Sequence, residues 1–357
     1  MKDQDFINRK TDHIRYSLSR EAEAVESASL HNWSLIHDSL PDLDLNEIRL
    51  STSWFGQARS TPFFIAGMTA GHPDAKVIND RLARAAAMRG WAMGLGSQRR
   101  ELDSDFRDAP LMSIRKEHPE LFLISNLGIA QLIEVHLERS WNRLSELIER
   151  SGASALAIHL NPLQEAIQVE GTPSFRHGRS AVSALLEKIK LPVILKETGS
   201  GMSRGFLDRI AALNASAGHS VAAVDVSGLG GTHWGRVEGL RAGEGTLAHQ
   251  LGETFSNWGV PTAESVLNAK AAFSGKPTEI WASGGIRSGL DAAKCIALGA
   301  RAVGFARPAL EAALQGDRPL QSWMERIETE LRVALCCTDS ATLADLGPGK
   351  IEKTKYE

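Results

Sequence analysis

The chain has 357 residues, 43% of them hydrophobic, with a mean hydropathy of −0.17 and a formal net charge of −3. That composition supports a sizeable core, excludes a largely disordered chain, and gives no electrostatic reason to invoke nucleic acid or a membrane surface. No apolar run reaches the length of a membrane-spanning helix. The cysteines Cys295, Cys336 and Cys337 are not spaced as a disulfide framework, so a reducing, cytoplasmic setting is expected.

The opening segment MKDQDFINRK lacks the apolar stretch of a signal peptide. It leads into a basic cluster, RKTDH, holding Arg9, Lys10 and His13. By composition alone the preferred reading of this cluster is a solvated basic terminus. Residues 1–60 read as an N-terminal extension. From there, short apolar runs recur: PFFIAG (62–67), WAMGLG (91–96), LFLISNLG (121–128), ALAIHLN (155–161), PVILKE (192–197), VAAVDVSG (221–228), EIWASGG (279–285) and AVGFA (302–306). None alternates polar with apolar, so each is expected to be a strand buried on both faces. Between them lie stretches with three- and four-residue apolar spacing, such as 79–90, 183–190, 263–273 and 288–300.

Eight strands alternating with helices predict a TIM (β/α)8 barrel over 61–345, closed by C-terminal helices and followed by a polar tail, 346–357. A doubly wound open sheet is the alternative, disfavoured by the strand count and even spacing. The interval between the sixth and seventh strands is long and contains THWGRVEGLRAGEGTLAHQLGETFSNWG. It reads as a mobile loop over the barrel mouth.

In such barrels the chemistry sits at the C-terminal ends of the strands. SGGIRSG (283–289) and GFARP (304–308) fall after the seventh and eighth strands, where a phosphate site is usual. Gly284 and Gly285 let backbone N–H groups approach an anion, and Arg287 and Arg307 add charge. Lys196 ends the fifth strand and Asp225 lies in the sixth. Lys196 suits a flavin-type ring, which needs a cation beside its N1 and O2; a stabilising ion pair with Asp225 and a Schiff-base lysine are the alternatives. GMTAGH, with Met68, Thr69 and Ala70, and NLG, with Asn126, offer small residues and polar groups to a flat ring. GSQR supplies Ser97 and Arg99, the latter an anion ligand.

HLNPLQEAIQVEG (159–171) crowds His159, Asn161, Gln164 and Glu165 past the fourth strand. Glu165 offers a hard oxygen for Mg²⁺, which takes carboxylate together with substrate phosphate. No Cys–His or Ser–His–Asp set accompanies these residues, so covalent hydrolysis is a poor fit. A polar helix start is the bland alternative for Gln164 and Glu165.

Taken in order, RKTDHI, GMTAGH, GLGSQR, SNLG, HLNPLQEAIQVEG, LKETGSGMS, DVSGLGGTHW, WGVPT and ASGGIRSGLDAAKCIALGA resemble the type 2, FMN-dependent isopentenyl-diphosphate isomerase family over most of the chain. The resemblance implies a TIM barrel, FMN, Mg²⁺, reduction by NADPH or another donor, and a homotetramer or homo-octamer. The implied reaction converts isopentenyl diphosphate to dimethylallyl diphosphate. It also assigns roles. Arg9, Lys10 and Arg99, with His13, hold the substrate diphosphate. Gln164 approaches the reacting carbons, flanked by His159 and Asn161, and Glu165 binds Mg²⁺. Trp234 and Glu238 lie near the hydrocarbon end. FMN contacts come from Met68, Thr69, Ala70, Ser97, Asn126, Lys196, Ser227, Thr232, Gly284, Gly285, Arg287, Ala306 and Arg307.

An allylic proton shift needs no nucleophile, which accounts for the residue types after the fourth strand. Three positions depart from the family pattern: Ala70 where MTGG is common, His233 at a variable position, and Val169 where QPEG has proline. Two rivals compete. An FMN-dependent 2-hydroxyacid oxidase or dehydrogenase would place a base histidine just after the sixth strand, where this chain has Ser227-Gly228-Leu229-Gly230. A catalytically silent flavin-binding paralogue would have no chemical need of Gln164, Glu165, Arg9 and Lys10.

Overall fold

The computed structural model describes residues 2–68, 75–102, 113–217 and 219–354, with the side chains of 2–7 and 214–217 excepted. Eight parallel strands close into a barrel: β1 (Phe63–Ile65), β2 (Ala92–Gly94), β3 (Leu123–Gly128), β4 (Ala155–Leu160), β5 (Val193–Glu197), β6 (Ala223–Asp225), β7 (Glu279–Ala282) and β8 (Ala302–Phe305). Each lies within one of the predicted apolar runs. The lack of alternation has a simple cause. Phe64, Ala92, Ile124, Ala157, Ile194, Ala223, Trp281 and Ala302 fill the barrel interior, while neighbours such as Phe63, Ile65, Met93, Leu123, Leu156 and Leu195 face the helices.

Much of that interior is alanine, so larger side chains must fill it. Trp281 and Phe64 do so, with ring centroids 5.0 Å apart. Trp54 enters from an antiparallel hairpin, Thr52–Trp54 with Gln57–Arg59. It is fully buried and packs 4.8 Å from Trp281 and edge-on to Phe122 at 5.7 Å. Phe55 stacks on Trp281 beside it. The extension therefore plugs the end of the barrel opposite the polar strand ends, where Glu279 accepts from the Phe55 N–H at 2.8 Å and from Trp281 Nε1 at 3.1 Å, and burying each such ring contributes on the order of 1.5–3 kcal/mol.

Seven of the helices bear on the barrel mouth and its surroundings: α1 (Lys2–Ser17), α2 (Pro162–Ile167), α3 (Trp234–Ala242), α4 (Leu247–Thr254), α5 (Gly289–Leu298), α6 (Arg307–Gln315) and α7 (Asp317–Cys336). The long interval after β6 is not a loop: it folds into α3 and α4. Its glycines lower helix propensity, which hid the helices from a periodicity argument. They also let the two helices touch, since a Cβ on Gly239 would lie 3.1 Å from the Gly252 Cα. At the other end of the chain, Ile351–Lys353 pairs antiparallel with Trp33–Leu35. Cys295 is buried in α5 and all three cysteines are free. No helix among the described residues is long and apolar enough to cross a membrane.

Candidate active site

Two residues beyond the apolar interior layer, the same faces turn polar. Ile124 is followed by Asn126, Ala157 by His159, Ile194 by Lys196, Ala223 by Asp225 and Trp281 by Ser283. Strand alternation carries each into the barrel mouth. Register sets them side by side, with His159 opposite Lys196 and Lys196 opposite Asp225. The Lys196 ammonium is lowered from its ordinary value by burial, while Asp225 and Glu197 act in the opposite sense. Asp225 is raised by burial and accepts from Ser283 Oγ at 2.7 Å.

Asn126 fixes the state of His159. Its Nδ2 donates to the Leu95 carbonyl at 3.0 Å, so its Oδ1 is the acceptor facing His159 Nδ1 at 2.9 Å. The histidine proton therefore sits on Nδ1, and Nε2 keeps its lone pair. Burial, then Lys196 and Lys10, hold this imidazole down to about 3. Asn126 is itself held by Gln98, whose Oε1 accepts from the Asn126 N–H at 3.1 Å and from Ser125 Oγ.

The opening of α2 follows β4 directly, with Asn161 as N-cap and Pro162 at the first turn. Asn161 Nδ2 donates to Gln164 Oε1 and to Glu165 Oε1, both at 3.1 Å. Glu165 Oε2 accepts from the Thr172 N–H at 2.7 Å. Gln164 Nε2 then reaches across to α3 and donates to Glu238 Oε1 at 2.8 Å. Glu238 also receives Arg241 Nε at 2.8 Å, and His13 Nε2 lies 2.9 Å from its Oε1. Burial works against this carboxylate, but His13, Gln164 and Arg241 outweigh the penalty and bring it down to about 2. Burial lowers His13, while the nearby Glu238 carboxylate acts in the opposite sense. The His13 ring meets Trp234 edge to face at 5.2 Å.

The basic cluster is not a solvated terminus. Arg9, Lys10 and His13 lie on α1 and line the same cavity as Arg99. Burial, followed by the adjacent Arg9 guanidinium, lowers Lys10 to about 8. Burial also lowers Arg9, with Arg99 adding to the effect. Like charges gathered out of water destabilise one another, and a polyanion relieves that cost.

Opposite, the loop after β7 interlocks with the loop after β6. Gly284 has φ +95°, and a Cβ there would lie 2.1 Å from the Gly228 carbonyl oxygen. Ser288 caps α5 with its side chain, whereas the α6 N-cap is Ala306, which has no side-chain hydrogen bond to offer. Ala306, Arg307 and Pro308 at the start of α6 line the cavity; Pro308 has no N–H of its own, so the Arg307 side chain is the principal donor this helix end brings. Arg287 and Arg307 flank this cradle, and both pair with Glu23.

These groups surround one cavity of about 690 Å³. It is lined by Arg9, Lys10, His13, Met68, Ser97, Arg99, Asn126, His159, Asn161, Gln164, Glu165, Lys196, Ser227, Thr232, Trp234, Gly284, Gly285, Arg287, Ala306 and Arg307. Thr69 and Ala70 lie outside the described residues. Glu238 sits behind Gln164, fully buried, rather than on the cavity wall. Leu229 is buried away from the cavity, its N–H donating to the Val260 carbonyl, so no base faces the mouth from that position. Val169 is 78% exposed. His233 is the N-cap of α3: its Nδ1 accepts from the Arg236 N–H at 3.3 Å, and its Nε2 donates to the Trp258 carbonyl at 3.3 Å.

Sequence reasoning missed Gln98, Arg241 and Glu23. Gln98 stands between two candidate ligands, Ser97 and Arg99, and its burial was the missing signal. Glu23 gave none, because it lies in the charged stretch EAEAVE. Among the described residues no group of three or more His, Cys, Asp or Glu side chains is arranged to hold a metal ion.

Residues 107–353 match the family model described as FMN-dependent dehydrogenase. A protein from Bdellovibrio bacteriovorus named isopentenyl-diphosphate delta-isomerase is 44% identical over 350 residues, covering 97% of both chains. A protein of the same name from Legionella pneumophila strain Paris is 47% identical over 345 residues, covering 96% of both. One from Methanoregula boonei is 43% identical, covering 95% of this chain and 91% of its own. Among solved structures, a soluble mutant of the membrane-associated (S)-mandelate dehydrogenase from Pseudomonas putida superposes with a TM-score of 0.67 at 17% identity, covering 99% of each chain. A mandelate oxidase with a monooxide FMN adduct gives a TM-score of 0.65 at 22% identity, covering 95% of this chain and 93% of its own. At those identities the two structures speak to the fold alone.

Proposed function

Because this chain belongs to the FMN-dependent isopentenyl-diphosphate delta-isomerase family, we propose that it converts isopentenyl diphosphate to dimethylallyl diphosphate by a 1,3-allylic proton shift, using reduced FMN, Mg²⁺ and NADPH as reductant. The observation that carries this reading is the make-up of the cavity. Three cations, Arg9, Lys10 and Arg99, line the same cavity as the Gln164 amide and Trp234.

The residues fit FMN. The glycine cradle at 284–285 and two arginines, Arg287 and Arg307, suit its phosphate, and the buried Lys196 suits its ring. When bound and reduced, FMN supplies acid–base chemistry with no net redox change. Lys196 balances the negative charge that reduction places on the ring. Asn126, held by Leu95 and Gln98, presents its amide at the same wall. A Mg²⁺ ion is supported by Glu165 alone, so it would require substrate phosphate oxygens and water as its other ligands.

The chain's own residues then divide the work. Arg9, Lys10 and Arg99, with His13 beside them, anchor the diphosphate. Gln164, oriented by Glu238 and Asn161, holds its amide toward the reacting carbons. His159 offers a neutral Nε2 as an acceptor. The edge-to-face Trp234 and His13 rings exclude water from the hydrocarbon end, where positive charge develops. The test is anaerobic: incubate the protein with FMN, NADPH and Mg²⁺ and follow isopentenyl diphosphate by NMR in D₂O. Dimethylallyl diphosphate carrying deuterium, formed only with reduced flavin, is the expected result. Tightly bound, reducible flavin without conversion overturns the assignment.

A further inference from the structure

Glu23 lines the cavity and ties the phosphate cradle to the segment that follows α1. Its carboxylate accepts from Arg287 Nη2 at 2.7 Å and from Arg307 Nη1, the two arginines at the β7 and β8 phosphate loops. Its backbone runs antiparallel to the loop after β6, bridging Thr232. The Ala24 N–H donates to the Gly231 carbonyl at 2.9 Å, and the His233 N–H donates to the Ala22 carbonyl at 2.8 Å. Arg236 Nη1 donates to the Glu23 carbonyl at 3.0 Å. Thr232 Oγ1 returns to the Ser17 carbonyl at 3.4 Å, the last residue of α1. A short, hydrogen-bonded path thus joins the helix bearing Arg9, Lys10 and His13 to the arginines of the phosphate cradle.

We propose that Glu23 is a positioning residue that couples occupancy of the flavin-phosphate cradle to docking of α1, and so to diphosphate binding. This rests on the proposed roles of the cradle in holding FMN and of Arg9, Lys10 and Arg99 in holding the diphosphate. One carboxylate oxygen serves each arginine. Arg287 is further held by its Nη1 on the Gly230 and Gly285 carbonyls. Glu23 fixes two long side chains that would otherwise have to be ordered when the phosphate arrives. A phosphate that tightens the arginines tightens their carboxylate, and with it the strap that ends α1. Linkage makes this reciprocal: each ligand strengthens the other by the same factor.

The test is a titration of oxidised FMN into apoprotein, with Mg²⁺ present and no reductant, so that no turnover occurs. It is run with and without isopentenyl diphosphate. In the unmodified protein the substrate is expected to tighten FMN by at least about fivefold, and FMN to tighten the substrate equally. In Glu23→Gln each ligand still binds but the factor falls toward one. Glu311→Gln, which alters the other carboxylate partner of Arg307 while leaving both Glu23 and the Arg307 bond to the Ser19 carbonyl in place, retains the factor. Glu23→Asp is too short to span both arginines and is expected to lose most of the coupling, which serves if Glu23→Gln fails to fold. An undiminished factor in Glu23→Gln, or a factor of one in the unmodified protein, overturns the inference alone. Failure of the unmodified protein to bind FMN or substrate overturns the site reading as well.

Discussion

Gln164 Nε2 donates to Glu238 Oε1 at 2.8 Å, and this contact between α2 and α3 fixes how the amide presents itself to the cavity. Replacing the amide by a carboxylate, Gln164→Glu, sets two acids at hydrogen-bond distance. Like charges so close cannot both ionise, so one is pushed up. Turnover is expected to fall by about 10²–10⁴ at pH 8 and to recover partly toward pH 6, as protonation restores a donor to Glu238. A pH–rate profile for kcat/KM that matches the unmodified enzyme in shape would remove Gln164 from the proton path.

Lys10 sits at about 8 in the free protein because burial and then Arg9 disfavour its charge. The neutral form cannot hold an anion. Affinity for inorganic diphosphate should therefore weaken as pH rises through 8, by up to about tenfold per unit. Lys10→Arg, always charged, should flatten that dependence. Lys10→Ala should weaken binding by roughly 1.5–3 kcal/mol, the worth of a charge-assisted contact. Calorimetric titration from pH 7 to 9.5 reads all three.

His13, His159 and His233 are each lowered chiefly by burial, His159 to about 3. In the unfolded chain they protonate near pH 6.5. As pH falls below that value the unfolded state binds protons that the native state refuses, so stability is full above it and declines beneath it. Each histidine adds up to about 1.4 kcal/mol per pH unit to the slope. His233 has a specific reason to resist, since a proton on Nδ1 would face the Arg236 N–H that it now accepts. Glu238, held at about 2, contributes in a separate, more acidic window. Glu197, raised by burial to about 7, acts in the opposite sense over part of this range, so the histidine contribution is read by comparison: on going from pH 7.5 to 5, urea unfolding should show His159→Gln losing less stability than the unmodified protein, and an equal change in the two would contradict it.

Gly284→Ala should separate flavin binding from folding of the barrel. A methyl there meets the Gly228 carbonyl oxygen, on a backbone with φ +95°. Strain of about 1–3 kcal/mol falls on the interlocked loops rather than on the strands. The variant is expected to remain helical by circular dichroism yet to purify with little bound flavin. Full flavin content with unchanged thermal stability would show that the loop tolerates the methyl.

The barrel was legible because its strands are apolar on both faces, a pattern that survives without knowledge of neighbours. The site was half legible. Asn126, His159, Lys196 and Asp225 announce themselves as polar residues two positions past interior ones. The helices α3 and α4 did not, since Gly235, Gly239 and Gly252 read as loop until their close packing is seen. The basic cluster at Arg9 and Lys10 was misleading on composition, because charge density says nothing about what covers it.

The sequence by itself determined the fold class and the order of the strand ends, because side-chain alternation and apolar periodicity are properties of the local chain. It also determined the chemical types gathered at the mouth. Only the tertiary structure decided the partners. Glu238 became ionised, His159 neutral and Glu23 a bridge between two arginines through contacts between residues separated by 33 to 284 positions in the chain. Charge state depends on burial and on those distant neighbours, and neither is written in the local pattern.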